Sequence, residues 1–123
     1  MDAEEIMKLK EDARTLRKKT LELAIESKDG HIASAYSVIE LIIYIYEKLL
    51  RPQDKFILSK GHGCLSFYNI LRSKGFNPKI SGHPDIEVNQ GIVCTTGSLG
   101  HGLPIGAGMA LAINTLSEVL GLK

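Results

Sequence analysis

KFILSKGHGCLSFYNILRSKG, residues 55–75, contains the order of elements that indicates the fold class. Its first five residues, Lys55–Ser59, predict a short strand, because an apolar centre of this length suits an interior sheet. A glycine-rich turn, Lys60–Gly63, comes next. A helix of about residues 65–74 follows, with Gly75 just beyond its C-terminus.

The same order occurs a second time. Residues 92–95 predict another short strand, residues 97–102 are rich in glycine, and a helix of small residues runs to about Leu120. In open α/β sheets, ligands bind beyond the carboxyl ends of the strands, and helix N-termini hold anions. We therefore expect an α/β fold, the first part of an open, mostly parallel sheet that is helix-rich in this segment. Two strands are fewer than a stable sheet needs.

The N-terminal half predicts two helices. Asp2 and Glu5 have the spacing of a capping box, which begins a first helix over residues 3–27. A second helix over Ser37–Leu50 has the same spacing at its start. Because that segment is apolar nearly all round, we expect the helix to be deeply buried.

Composition limits the classes of function. The chain has 123 residues, enough for at most one domain, and a net charge of +1. This charge is too small to gather nucleic acid or an anionic membrane, so neither is an expected partner. Two cysteines indicate a reducing compartment, and the highly charged start is unlike a secretory signal. The expected location is the cytoplasm.

Charge is unevenly distributed along the chain. Residues 1–20 carry eleven charged side chains, whereas residues 91–117 carry none. Within the uncharged segment, the longest run without a polar side chain is Gly102–Ile113, which is too short to cross a membrane. We therefore expect this segment to be buried, either in a core or against another chain.

Each of the four histidines directly follows a glycine. Glycine allows a ligand or a second backbone to come close, and imidazole suits proton transfer near neutral pH. The pattern indicates imidazoles that are presented together at one site. The alternative is that these are turn histidines of a glycine-rich protein, with a capping role only.

Other sites have weaker support. His62, Cys64 and Cys94 could ligate zinc, but no pair among them has the spacing of a structural site. The glycines from Gly97 onward fail the dinucleotide-binding pattern. No P-loop, serine nucleophile elbow or zinc-protease motif is present.

Four motifs, in order, resemble the N-terminal, diphosphate-binding domain of the thiamine-diphosphate-dependent transketolase family. They are GHIAS at Gly30–Ser34, DKFILSKGHG at Asp54–Gly63, GHPD at Gly82–Asp85 and TGSLGHGLPIGAGMALA at Thr96–Ala112. The resemblance covers about residues 16–112. It implies that residues 1–123 are an incomplete domain of this type, with no second domain.

The resemblance implies catalytic roles for three histidines. His31 matches the histidine that faces the donor sugar and the reactive carbon of the cofactor. His62 matches one near the cofactor diphosphate and the substrate. His83 matches a histidine that hydrogen-bonds a ketose hydroxyl.

Cofactor-binding residues follow from the same resemblance. Gly97, Ser98 and Leu99 match a turn that touches the aminopyrimidine side of thiamine diphosphate, and His62 lies near its diphosphate. His101 belongs to the same cofactor-binding set, although glutamine is commoner there. In the first motif, Ile32 and Ala33 replace a frequent Pro-Gly pair, which leaves the choice of sugar open.

In the family, a Gly-Asp-Gly motif and an asparagine that follows it hold Mg²⁺, and no Gly-Asp-Gly occurs in this sequence. The family's pyrimidine-binding domain, with its activating glutamate, is also absent. We therefore assign no metal ligand and expect a complementary chain in a homo- or hetero-oligomer. The expected function is part of a transketolase-like enzyme that transfers a two-carbon ketol unit between sugars or sugar phosphates. The alternative is a non-catalytic binding or assembly module.

Overall fold

The computed structural model describes residues 2–121. Its α-helices are α1 (Ala3–Ser27), α2 (Ile32–Tyr36), α3 (Ile39–Tyr44), α4 (Cys64–Ser73) and α5 (Gly102–Val119). A π-helical turn, Ile45–Leu49, continues α3, and 3₁₀ turns occur at Gly61–Gly63 and Val88–Gln90. The expectation of a helix-rich segment is confirmed.

α1 begins at the predicted capping box. The Glu5 backbone N–H donates to the Asp2 carboxylate at 2.8 Å, and the Asp2 N–H donates to the Glu5 carboxylate at 3.2 Å. The helix ends at Lys28, whose φ of 56° is left-handed. One face of α1 packs against α3 and α4 through Ala13, Leu16, Thr20, Leu23 and Ala24.

The predicted helix over Ser37–Leu50 is present as α3 and its π-helical continuation, residues 39–49, but the capping box predicted at its start is wrong. The Ser37 hydroxyl donates to the Ser34 carbonyl at 2.9 Å, so it caps no helix start. The Glu40 carboxylate instead accepts a hydrogen bond from Arg17 of α1. This ion pair lowers the pKa of Glu40, because the Arg17 hydrogen bond favours the charged form.

The expectation that this region is buried on all sides is also wrong. One face of α3 is buried, through Ile39, Ile42 and Ile43. Leu41, Tyr44 and Leu49 are exposed. The described residues therefore cover only half of this apolar surface.

α4 is the central helix of the core. Every residue from Cys64 to Leu71 is buried, and the helix packs on α1, α2 and α3. Phe67 lies 5.4 Å from Phe56 and 6.5 Å from Tyr46, measured between ring centroids. Gly75, with a φ of +88°, follows the helix as predicted.

The two predicted strands are not formed within residues 2–121. Residues 55–59 are irregular, although Leu58 is buried, because no described segment pairs with their backbone. Ile92 forms one antiparallel bridge with Glu87, through hydrogen bonds of 2.8 and 3.2 Å. A strand needs a ladder of such pairs, so the open parallel sheet stays a prediction.

α5 is attached to the rest of the chain at its first residue. The Gly102 N–H donates to Ser59 Oγ at 3.1 Å, and a Cβ at Gly102 would lie 2.5 Å from the Ser59 Cβ. Gly102 is the one buried residue of this helix. The expectation that residues 91–117 are buried in this chain's own core is therefore wrong for α5. None of the helices described is long and apolar enough to cross a lipid bilayer.

Candidate active site

Three of the four histidines meet at one place. The ring centroid of His31 lies 5.8 Å from that of His62 and 6.1 Å from that of His83. His31 directly precedes α2, His62 lies in the turn before α4, and His83 lies in the loop after α4. Three separate glycine-bearing turns therefore bring their imidazoles together, whereas the Gly-His pattern predicted that all four would meet.

His31 is oriented by the aspartate two residues before it. Asp29 Oδ1 accepts the His31 backbone N–H at 2.9 Å and lies 2.7 Å from its Nδ1. The Asp29 side chain is 10% exposed, whereas the His31 side chain is 50% exposed. The imidazole is thus held on one side and open to solvent on the other.

The turn that carries His62 is packed between α2 and the loop before α5. A Cβ at Gly61 would lie 2.8 Å from the Thr96 carbonyl carbon, and one at Gly63 would lie 3.3 Å from the Ser34 carbonyl oxygen. Both contacts are with backbone atoms, which cannot move aside as a flexible side chain can. Only glycine fits at position 61, whereas a Cβ at Gly63 would meet the flexible Lys60 side chain at 2.8 Å and the Ser34 oxygen less tightly. This packing places His62 beside His31.

The loop that carries His83 is anchored by the N-terminal half of α4. The Tyr68 hydroxyl is 3.1 Å from both the carbonyl oxygen and the Oγ of Ser81. The Cys64 thiol donates weakly to the Ser81 and Gly82 carbonyls at 3.4 Å. Ser81 Oγ in turn donates to the His83 carbonyl. The backbone at His83 is therefore tied to a buried helix.

Sequence reasoning missed this anchor. Cys64 and Tyr68 are four residues apart and share one face of α4, which is the one local signal that could have found them. Burial raises the pKa of the Cys64 thiol to about 11 and also raises the pKa of Tyr68. Both groups are therefore neutral hydrogen-bond donors near pH 7, as an anchoring role requires.

The loop before α5 contacts the histidine cluster through Gly97. A Cβ on Gly97, whose φ is +153°, would lie 3.2 Å from Cδ2 of His83. Ser98 and Leu99 are exposed, and 68% of Leu99 is accessible. His101 is exposed at the start of α5 and makes no ring contact with the other histidines in the described part of the chain.

The residues around this loop suit an organic ligand. Thr96 Oγ1 is buried and has no hydrogen-bond partner within residues 2–121, so a polar ligand atom could satisfy it. An open surface cavity of about 400 Å³ lies on the Asp29 side of His31; it is lined in part by Ile80 and Gly82, and by no residue of the loop before α5.

A metal centre has no such support within the described part of the chain. No group of three or more His, Cys, Asp or Glu side chains there is arranged to hold a metal ion. His62, Cys64 and Cys94 do not form a zinc site. Cys64 instead donates to carbonyl oxygens.

Comparison with known families identifies the family of the chain. The family model described as "Transketolase, thiamine diphosphate binding domain" matches residues 9–121. The chain belongs to this transketolase family. The match includes all four Gly-His motifs and every residue that was predicted to contact substrate or cofactor.

Several curated transketolases are similar to the chain. One apulose-4-phosphate transketolase subunit, from Phocaeicola vulgatus, is 36% identical, over 78% of this chain and 41% of its own. The 6-deoxy-6-sulfo-D-fructose transketolase subunit SqwG of Clostridium sp. is 31% identical, over 97% and 53%. Transketolase 1 of Escherichia coli is 28% identical, over 88% and 20%. The chain thus spans about half the length of these relatives, or less. No solved structure gives a significant match.

Proposed function

We propose that this chain is the N-terminal part of a thiamine-diphosphate-dependent transketolase-like enzyme. It would transfer a two-carbon ketol unit between sugars or sugar phosphates, together with a complementary chain. The observation that carries the proposal is the convergence of His31, His62 and His83 within a domain of the transketolase family. Imidazoles grouped in this way can exchange protons with several sugar hydroxyls at once.

The loop before α5 would hold the cofactor. Gly97, Ser98 and Leu99 would line its aminopyrimidine side, with the unpartnered Thr96 hydroxyl beside them. His62 would lie near its diphosphate, and His101 would close the far end of the loop. When bound, thiamine diphosphate supplies the nucleophilic carbon and the electron sink for carbon–carbon cleavage.

The protein would then orient the sugar and move protons. His31, held on its Nδ1 side by Asp29, would present Nε2 to a hydroxyl of the donor sugar. His83 would donate to, or accept from, a second hydroxyl. Its loop is tied through Ser81 to α4. Because the backbone of His83 is already ordered, little conformational entropy is lost there when the sugar binds.

A complementary chain would supply the Mg²⁺ ligands and cover α5. Two of the similar proteins are named as transketolase subunits. α5 exposes large apolar side chains along its length, which are Leu103, Ile105, Leu111, Ile113, Leu116 and Val119. Apolar surfaces of this kind are typical of obligate interfaces. The uncharged segment would then be buried against another chain, the second of the two settings that the sequence allows.

The proposal is tested by calorimetric titration of thiamine diphosphate with Mg²⁺. The titration is made into this chain alone and then into its complex with a candidate second subunit, encoded nearby and carrying Gly-Asp-Gly and a pyrimidine-binding domain. We expect binding in the complex only, followed by ketol transfer between sugars. Absence of binding in both cases would overturn the proposal. A complex that forms but binds no cofactor would instead favour the assembly module.

A further inference from the structure

The contact between Asp29 and His31 contains one hydrogen bond more than the local turn requires. An aspartate often accepts the backbone N–H of the residue two positions later, which closes an Asx turn. That bond is present, at 2.9 Å. The same carboxylate oxygen also lies 2.7 Å from the ring Nδ1, and turn geometry alone does not call for this second contact.

The backbone of Asp29 is fixed at the end of α1. α1 ends at the left-handed Lys28, and the Asp29 N–H donates to the Ala24 carbonyl at 3.0 Å. Its second oxygen, Oδ2, lies 3.8 Å from the position of a Cβ on Gly82, next to His83. Because Asp29 is largely buried, its oxygens need donors, and His31 provides both hydrogen bonds seen for its side chain within residues 2–121.

His31 differs in this respect from His62, His83 and His101. Their rings form no hydrogen bond or ion pair with a carboxylate in the part of the chain described. His31 is also the ring that contacts both other members of the cluster. The carboxylate therefore acts on the central imidazole of the site.

We propose that Asp29 is a positioning residue that fixes the tautomer of His31. Its carboxylate binds the proton on Nδ1, so the Nε2 lone pair is available on the opposite side of the ring as a proton acceptor. Which ring nitrogen carries the proton is set by the hydrogen bond of the other nitrogen. The catalytic consequence rests on the proposed transketolase function, whereas the tautomer is a property of this chain by itself.

The test uses the chain labelled with ¹⁵N-histidine. Long-range ¹H–¹⁵N correlation spectra are recorded at about pH 8.5, where ordinary imidazoles are neutral. We expect His31 to carry its proton on Nδ1, whereas His62, His83 and His101 show the Nε2–H form favoured by unpaired imidazoles. The three other histidines are thus internal controls in the same spectrum.

Two substitutions complete the test. Asp29→Ala should shift His31 to the Nε2–H form, whereas Asp29→Asn, whose amide oxygen still accepts, should retain more of the Nδ1–H form. Asp12→Ala removes the same charge from a residue of α1 whose side chain has no hydrogen bond with any described residue, and it should leave the spectrum unchanged. Far-UV circular dichroism checks the fold of each variant. A wild-type His31 in the Nε2–H form, or one unaffected by Asp29→Ala, would overturn the proposal.

The catalytic consequence is measured in the assembly with the second subunit. Asp29→Ala should lower kcat by at least about tenfold, with a smaller change in KM, because it removes proton-transfer capacity rather than binding. Asp29→Asn should lose less. If the wild-type assembly transfers no ketol unit, the proposed function fails, while the spectra still decide the role of Asp29.

Discussion

The backbone of Gly61 lies directly against the carbonyl group of Thr96. A Cβ at Gly61 would be 2.8 Å from the Thr96 carbonyl carbon and 2.9 Å from its oxygen. This contact joins the turn that carries His62 to the loop that precedes α5. The glycine is thus needed because two backbones meet, and not for an unusual φ angle.

We expect Gly61→Ala to destabilise the fold by about 1–3 kcal/mol, the usual effect of overpacking against atoms that cannot move aside. Gly108→Ala is the matched control. A Cβ there meets nothing within 4 Å in α5, so its free energy of unfolding should rise slightly through helix propensity. Urea unfolding of both variants makes the comparison. Equal stability of Gly61→Ala and the wild type would contradict the contact.

His83→Ala should reduce turnover in the complete assembly far more than it reduces thermal stability. The His83 side chain is exposed, so its removal takes away little packing. The measurements are kcat with the second subunit present and the melting temperature of this chain. Loss of the fold with the histidine would mean that His83 is structural, and its predicted role would be wrong.

Tyr68→Phe should lower the free energy of unfolding by about 1 kcal/mol, because the hydroxyl that binds Ser81 is lost from a buried position. Tyr46→Phe is the control, since the Tyr46 hydroxyl forms no hydrogen bond within residues 2–121. In the complete assembly, Tyr68→Phe should also lower kcat, because the loop of His83 is then less well anchored. Identical stability losses in the two variants would mean that the hydroxyl bond to Ser81 contributes nothing.

Stability should fall as the pH rises above 9. The pKa of the Cys64 thiol is raised from its ordinary value of 9.0 to about 11, because burial disfavours the thiolate. Between these values the unfolded chain has lost the proton and the folded chain retains it, so the free energy of unfolding decreases with pH. Below 9.0 both states are protonated, and the thiol contributes no pH dependence.

Urea unfolding at a series of pH values measures this decline. Cys64→Ser keeps a hydroxyl donor that does not titrate, so its decline should be shallower than that of the wild type. Tyr68, whose pKa is also raised by burial, should maintain part of the slope in both proteins above its ordinary value of 10.0. A wild-type slope equal to that of Cys64→Ser would show that the thiol is not protected by burial.

Local signals predicted most of the helices but not the contacts between segments. α1 and α4 were predicted to within about one residue, because the residues that mark their ends are close in sequence. Asp2 and Glu5 form the capping box of α1, and Gly75 follows the C-terminus of α4. The short helix α2 was not predicted, and the Ser37 hydroxyl binds the Ser34 carbonyl instead of capping the start of α3. A strand forms only when a second segment pairs with its backbone. A pattern of four or five residues, as in the two predicted strands, does not show whether that second segment is present.

The candidate site, too, could be predicted only in part from the sequence. The meeting of His31, His62 and His83 could be predicted because each histidine follows a glycine in a motif that resembles one family. The residues that hold them were missed. Tyr68 and Cys64 reach Ser81 across 13 and 17 positions of sequence, and their four-residue spacing shows a shared helix face but not the partner of that face. Asp29 lies only two positions from His31, but only side-chain geometry separates its role from an ordinary turn.

Substitutions on α5 should prevent assembly without unfolding this chain. Leu111 and Leu116 are 67% and 57% exposed, so replacing either with lysine removes little packing within the chain. In a complex that covers α5, a buried and unpaired ammonium group is costly. We therefore expect Leu111→Lys or Leu116→Lys to weaken binding to the second subunit by at least about tenfold, which corresponds to 1.4 kcal/mol.

The control is Ile25→Lys on α1, since Ile25 is 69% exposed and equally apolar but lies on a helix that packs its opposite face into the core. Its circular dichroism and its affinity for the second subunit should match those of the wild type. Sedimentation of each variant with the second subunit provides the measurement. If Leu111→Lys assembled normally while Ile25→Lys did not, the interface would lie on α1. The exposed apolar face of α5 would then need another explanation, because a helix that is uncharged over residues 102–117 and left in water has no evident source of stability.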